Sequence, residues 1–281
     1  MSKRRIAVTG ANGLVGSRMF DLIKWDMELV PISHSDMDIT NRDQTHAFLK
    51  DMQFDTLVHL AAYTNVDGAE KEFDTAISIN ETGTRNIFDA VLEKNKPFIL
   101  LSTDFVFEGR NETYTEESPT HAISAYGQSK LNAEKVVGDK GMIVRIAYPY
   151  RAEYEKKKDF FRTLKSLMEQ GRQLTMINDS LITPTFIDDI AFGLRNLIDE
   201  FTPQIFHLVG SDSLSPFDAG KLIAKTFNLD ENLVQPTDYK TYFAGKAQRP
   251  QYSKIVSTKD FGYKTKTFEE GLQEIKRQLK V

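Results

Sequence analysis

The sequence predicts an α/β fold: a doubly wound parallel sheet with helices on both faces and a smaller C-terminal lobe. Two observations carry that prediction. Short apolar runs alternate with segments of helical spacing through the first half of the 281 residues, the pattern of βαβ units joined by right-handed crossovers. A glycine-rich turn, moreover, joins the first such run to the first helical segment. Composition sets the outer bounds. With 40% hydrophobic residues the chain can fill a sizeable core. The formal net charge of −4 leaves no electrostatic footprint for nucleic acid or an anionic membrane. No cysteine is present, which removes disulfides, thiolate metal sites and cysteine nucleophiles and fits a reducing cytosol. The basic start, Met1 to Arg5, precedes an apolar run too short for a secretory signal, and no apolar stretch is long enough to span a bilayer. The expectation is a soluble, cytoplasmic protein with neither a nucleic-acid nor a membrane partner.

The elements follow in order. Ile6 to Val8 reads as a strand closed by Thr9-Gly10, and Leu14 to Lys24 has helical spacing. Leu29 to Ile32 is a second strand, Arg42 to Lys50 a helix and Thr56 to Leu60 a third strand. A long helical region is expected from about Gly68 to Glu93, then a strand from Pro97 to Ser102, a helix from Ala125 to Val137 and a strand from Met142 to Ala147. The alternation loosens after Tyr148. A charged stretch, Glu153 to Lys158, leads into an amphipathic helix ending near Gly171; a helix from Asp188 to Asp199 and a strand from Ile205 to Val209 follow. Ser215 with Pro216 marks one later helix start, and Thr267 to Glu270 forms a capping box for the last.

The turn is where chemistry enters. Glycines at 10, 13 and 16 permit a tight turn, close approach of backbone to a diphosphate, and tight helix–strand packing. The helix that opens there offers free N–H groups to phosphate. In that position the glycines favour a Rossmann-type dinucleotide site over a plain turn, with Gly10, Asn12, Gly13, Leu14, Val15 and Gly16 as its loop. Residues 1–150 are then expected to form the NAD(P)-binding Rossmann domain, joined by parts of 185–210, with 151–281 mainly a substrate-binding lobe. The second strand ends Ser33-His34, with Asp36 and Asp38 beyond it. Ser33 and His34, with Arg18 near the turn, could accommodate a 2′-phosphate, though they equally suit an ordinary surface; the balance favours NADP(H) over NAD(H).

Tyr126 and Lys130 stand four apart in a predicted helix, hence on one face. A lysine ammonium near a phenol stabilises phenolate and should bring the tyrosine pKa toward neutrality. The tyrosine can then exchange a proton with a carbonyl oxygen as hydride moves at its carbon. Thr103, at the carboxyl end of the fourth strand, can bond the same oxygen. This spacing in isolation is common. Its place behind a glycine turn and a strand-end threonine makes Thr103, Tyr126 and Lys130 the catalytic candidates.

With these residues in place the chain resembles the extended short-chain dehydrogenase/reductases, and among them the dTDP-4-dehydrorhamnose reductase family. The landmarks run in order: Thr9-Gly-Ala-Asn-Gly-Leu-Val-Gly16, His59-Leu-Ala-Ala-Tyr-Thr-Asn-Val-Asp67, Asn80-Glu-Thr-Gly-Thr-Arg-Asn86, Ser102-Thr-Asp-Phe-Val-Phe-Glu-Gly109, Tyr126-Gly-Gln-Ser-Lys130, Pro184-Thr185 and Arg249-Pro250. The resemblance implies reduction by NAD(P)H of the 4-keto group of a nucleotide-linked deoxy sugar, and a homodimer. It implies that Thr103 and Tyr126 bind the keto oxygen, that Tyr126 supplies the proton, that Lys130 also holds the nicotinamide ribose, and that Tyr126 as well as Lys130 contacts the cofactor. It places Ala61, Ala62 and Tyr63 in the cofactor cleft, Asp38 and Ile39 beside adenine, and Thr64, Val66, Asp104, Phe105, Tyr148 and Arg249 toward the sugar nucleotide. The substrate side departs from the family: Phe105 stands where tyrosine is usual, Tyr148 where tryptophan is, Asp159 and Tyr252 where asparagine is. Two alternatives stay open: a sugar-nucleotide epimerase or dehydratase, and a non-catalytic NADP-binding subunit resembling the regulatory subunit of methionine adenosyltransferase.

Other conspicuous residues have plain readings. His34, His46, His59, His121 and His207 lack metal-ligand spacing, so no metal is expected, and His59 and His207 should be packed in strands. Lys156 to Lys158 could attract a diphosphate, but such a charge run is usually a solvated face. Trp25 with Met27 should fill a gap under the first helix. Asp188 and Asp189 should be satisfied by the helix dipole, and Phe160 and Phe161 should be core or dimer contacts.

Overall fold

The computed structural model describes residues 3–280, so Met1 and Ser2 of the basic start, and Val281, lie outside the described residues. Six strands form one wholly parallel sheet: β1 (Arg5–Thr9), β2 (Glu28–Ile32), β3 (Thr56–His59), β4 (Phe98–Thr103), β5 (Met142–Ile146) and β6 (Ile205–His207), in the order β6-β5-β4-β3-β1-β2. From β1 the chain steps to β2 on one side and then to β3 on the other. The order reverses there, and ligands of open α/β sheets bind beyond the carboxyl ends of the strands at such a point.

Eight longer helices follow the predicted segments: α1 (Leu14–Ile23), α2 (Arg42–Asp51), α3 (Gly83–Glu93), α4 (Ala125–Val137), α5 (Phe160–Glu169), α6 (Ile187–Asp199), α7 (Pro216–Thr226) and α8 (Phe268–Leu279). Successive strand residues face opposite sides, and both sides of this sheet are covered. Ile6, Val8, Val58 and Val144 pack under Met19 and Ile23 of α1 and Ile190 and Leu194 of α6. Ala7, Leu57, Leu100 and Ile143 pack under Leu49 of α2, Ile87 and Val91 of α3, and Ala133 and Val137 of α4. Burial on both faces explains why the strands read as continuous apolar runs. The segment from α6 to β6 belongs with this sheet, since β6 pairs with β5 through Ile205 and Ile143. A separate core joins α5, α7 and α8 around Tyr150, Phe161, Phe186, Ile223, Phe268 and Leu272, with Phe160 stacked on Phe268 at 5.8 Å. Ser215 caps α7 and the capping box at Thr267 and Glu270 is formed.

Three local expectations are corrected. The helical region from Gly68 to Glu93 is broken into Val66–Ala69, Phe73–Ile77, a wide π turn at Ser78–Thr82 and α3. Such single π turns inside α-helices are frequent at functional sites, and this one contains the buried Asn80. Trp25 is 75% exposed rather than wedged under α1. α1 ends at Ile23, whose side chain and that of Met27 take the inward positions, leaving the indole outside beneath Lys24. Asp188 and Asp189 do far more than face a helix dipole. Asp188 takes a bidentate pair from Arg18 at 2.6 and 2.7 Å, while the fully buried Asp189 accepts from Lys266 at 2.7 Å and Tyr263 at 2.9 Å.

Candidate active site

A cleft of about 800 Å³ opens over the carboxyl ends of β1, β2 and β3. Gly10 stands at its floor with φ +68°, and a Cβ there would lie 2.6 Å from the Ala61 nitrogen. Only glycine fits so close to the exit of β3. A Cβ at Gly16 would likewise collide with the Gly10 carbonyl. Gly13 caps α1 without a side-chain acceptor, so the first-turn N–H groups remain available to an anion. This cradle fits a dinucleotide diphosphate. Asn12, Gly13, Ser33, His34, Asp38, Ile39, Ala61 and Ala62 all line the cleft. Leu14, Val15 and Gly16 lie behind the loop, with Val15 buried and Leu14 packed against the core, so they can offer backbone only. Tyr63 is outside the lining: its phenol donates to Glu72 at 3.0 Å and its N–H to Asn80 at 2.8 Å. Arg18 is held by Asp188 and Gln278 and does not line the cleft, a correction to its expected place near a 2′-phosphate. Gly10→Ala is expected to cost at least about 1–2 kcal/mol of stability, from the left-handed backbone alone, and to weaken dinucleotide binding more than about tenfold. Thermal melting and cofactor titration check both parts.

The catalytic candidates Thr103, Tyr126 and Lys130 stand at the end of β4 and on the helix beside it. Ser124 caps α4 by accepting from the Gly127 N–H at 3.1 Å, and Gly127 lets the Phe105 carbonyl approach closer than any Cβ would allow. The Phe105 ring meets the Tyr126 ring edge-on at 5.4 Å. Lys130 is 3% exposed and donates to the Leu101 carbonyl at 2.8 Å. Burial draws its pKa down to about 8 against the opposing pull of Glu134. The expected lowering of the Tyr126 pKa by Lys130 is corrected here: burial pushes the phenol above its ordinary value, with Thr103 pulling the other way. At neutral pH Tyr126 therefore holds its proton. His59 lies in the same region, tied to Thr9 at 2.6 Å and kept neutral, its pKa drawn down to about 3 by burial and by Lys130.

On the other side of β4 lies a second cleft of about 550 Å³, lined by Tyr148, Phe160, Tyr239, Phe243, Lys158 and Arg249, among others. Tyr148 leaves β5 with φ +40°, a conformation costly for a bulky side chain. Arg249 pairs with Asp67 at 2.8 Å and stacks over Phe243 at 5.1 Å. Thr64 is exposed and Val66 opens a short helix, next to Asp67 but not themselves in the lining. Asp104 is corrected: it does not face this cleft but is 2% exposed, beneath Thr103.

The two clefts, with Thr103 and Tyr126 between them, can be set beside known proteins. The sequence matches the family described as the RmlD substrate binding domain over residues 4–281. The chain belongs to that family. A similar solved structure is the dTDP-4-dehydrorhamnose reductase of Bacillus anthracis in complex with NADP, 30% identical at a TM-score of 0.90, covering 98% of this chain and 99% of that one. The dTDP-4-dehydrorhamnose reductase of Sinorhizobium fredii is 29% identical over 96% of both chains. A probable low-salt glycan biosynthesis reductase of Haloferax volcanii is also 29% identical, over 81% of this chain and 82% of its own length.

Several residues that shape this RmlD-family site escape sequence reasoning. Asn80 accepts from the Tyr63 N–H at 2.8 Å and donates to the Tyr63 carbonyl at 3.0 Å and to Ser129 Oγ at 2.8 Å. It thus joins the Tyr63 loop to the helix that carries Tyr126. Glu134 and Arg145 form a buried pair at 2.7 Å beneath Lys130, with Ser102 bonded to the same carboxylate. A buried charge four residues after Lys130, opposite an arginine inside an apolar strand, is the signal that could have marked that pair.

Proposed function

We propose that this chain reduces the 4-keto group of a nucleotide-linked 6-deoxy sugar of the dTDP-4-dehydrorhamnose kind, with NADPH as reductant. The observation that carries the reading is positional. Thr103 and Tyr126 stand at the end of β4, between a dinucleotide-shaped cleft over β1 to β3 and an aromatic, cationic cleft beyond β5. The dinucleotide, bound in the first cleft, supplies the hydride. The protein's own groups do the rest. Tyr126 donates its phenolic proton to the keto oxygen. Lys130 keeps a positive charge under the helix and supports the phenolate left behind. Arg249 and Lys158 offer cations to a diphosphate, and Tyr148, Tyr239 and Phe243 offer faces to a base or sugar. The activities of the reductase relatives support the same assignment. Against an epimerase or dehydratase stands the absence of a second acid beside Asp104, whose neighbour is Phe105.

The relative bound to NADP supports NADPH as the cofactor, as do Ser33 and His34 in the lining. Asp36 works against it. Its carboxylate, held below the ordinary range by Ser33, accepts from the Ser33 hydroxyl at 2.6 Å and N–H at 2.8 Å, and so brings negative charge beside Ser33 in the lining. Asp36→Asn is therefore expected to raise the ratio of kcat/KM for NADPH over NADH by roughly threefold or more, an effect that should shrink at high salt. The functional assignment is tested by offering purified protein a panel of nucleotide-linked 4-keto sugars and following loss of NADPH absorbance. Consumption with at least one sugar is expected. Cofactor that stays bound through turnover without being consumed would assign the chain to the epimerases instead.

A further inference from the structure

Asp104 is a buried acid for which hydride transfer leaves no task. Its Oδ1 accepts from the Thr103 hydroxyl at 2.9 Å, and its Oδ2 accepts from the Ser253 hydroxyl. Thr103 also receives the Phe105 N–H at 3.3 Å. The single hydrogen of Thr103 is thus committed to Asp104, which fixes where its oxygen lies beside the Tyr126 phenol. Ser253 arrives from a distant part of the chain. It lies in the short strand Tyr252–Ser253, paired with Leu181–Ile182 and four residues beyond Arg249. That segment is pressed onto the loop after β4: Tyr252 N–H donates to the Gly109 carbonyl at 3.1 Å, and a Cβ on Gly109 would strike Pro250. From Arg249 in the second cleft to the Thr103 hydroxyl, the connection is continuous.

We propose that Asp104 is a positioning residue, which by accepting both hydroxyls fixes Thr103 against Tyr126 and ties that alignment to the segment carrying Arg249. The inference rests on the keto-sugar reductase reading. Its consequence is that contacts made by the remote, charged end of the substrate are felt at the reacting oxygen, so that they raise kcat as well as lowering KM. Burial raises the Asp104 pKa to about 6 against the pull of the two hydroxyls. The titratable groups facing it are Tyr126 from α4 and Tyr148 after β5. Because the folded pKa is raised, the double acceptor exists above about pH 6 and is lost as pH falls through that value. Turnover should fall on the same acid limb.

The test uses the full chain with a keto sugar that the parent reduces. Ser253→Ala is expected to lower kcat about tenfold, the worth of a hydrogen bond to a charged group, with KM for NADPH changed less than twofold. Its acid limb should move to higher pH, since a donor that favoured the carboxylate is gone. Ser253→Thr, which keeps the hydroxyl, should restore both. Asp104→Asn should lose the acid limb, yet melt no lower than the parent above pH 6, because a buried charge has been removed. Parental kcat and acid limb in Ser253→Ala, equal losses in the alanine and threonine variants, or an acid limb that survives Asp104→Asn would each refute the positioning role. A parent that reduces no keto sugar would instead refute the functional reading beneath it.

Discussion

Tyr126→Phe is expected to lower turnover by about 10²–10⁴-fold, the usual contribution of a positioned general acid, while leaving the dissociation constant for NADPH unchanged. The reasoning is local. The phenol is kept protonated at neutral pH by its burial, and its ring is held edge-on by Phe105. Removing one oxygen leaves that packing intact, because phenylalanine keeps the ring and its contact. The dinucleotide cleft lies over β1 to β3 and does not include Tyr126 in its lining. Steady-state kinetics and a fluorescence titration separate the two effects; a variant with parental kcat would place the proton donor elsewhere.

Glu134→Ala carries the largest expected cost in stability. Arg145 is 2% exposed and pairs with Glu134 at 2.7 and 2.9 Å; its remaining polar neighbour is His207 at 3.4 Å. That histidine is held neutral, its pKa drawn down to about 4 by burial, and cannot replace a carboxylate. Stranding a buried guanidinium costs about 3–5 kcal/mol, equivalent to a fall in Tm of roughly ten degrees for a chain of this size. The same change should reach catalysis. Glu134 holds up the Lys130 pKa, so its removal lets the ammonium deprotonate at lower pH, and the alkaline limb of the rate profile should move below about pH 8. Glu134→Leu combined with Arg145→Met should recover much of the melting temperature, because apolar replacement of a whole buried pair is often neutral. It should not recover the alkaline limb. Recovery of both would mean that the pair acts through stability alone.

The main sheet was legible in the sequence because its signals are local. Strands buried on both faces read as continuous apolar runs, and helix starts such as Ser215 and Thr267 carry their own caps. The glycine turn was legible for the same reason, since steric need at Gly10 and Gly16 leaves glycine little alternative. What was not legible depends on partners far along the chain. Arg18 looked free to meet a phosphate until Asp188, 170 residues away, took both of its faces. Asp104 looked like a substrate contact until Ser253, 149 residues away, was seen to hold it in the interior. The expected acidic shift of Tyr126 failed for a related reason: spacing places a lysine on the same helix face, but only the fold reveals how much solvent the phenol loses. Asn80 stands out in the sequence only as part of a family landmark; its bridge to Tyr63 and Ser129, 17 and 49 residues away, was not legible.

The claim that hydride crosses from the first cleft to a carbonyl carbon beside Tyr126 is tested most directly by isotope transfer. NADPH carrying deuterium on the transferred face of its nicotinamide would be turned over with a nucleotide-linked 4-keto sugar, and the product read by NMR and mass. One deuterium per molecule, bound to sugar C4, is the predicted result. Product formed without deuterium, or with deuterium on another carbon, would contradict it.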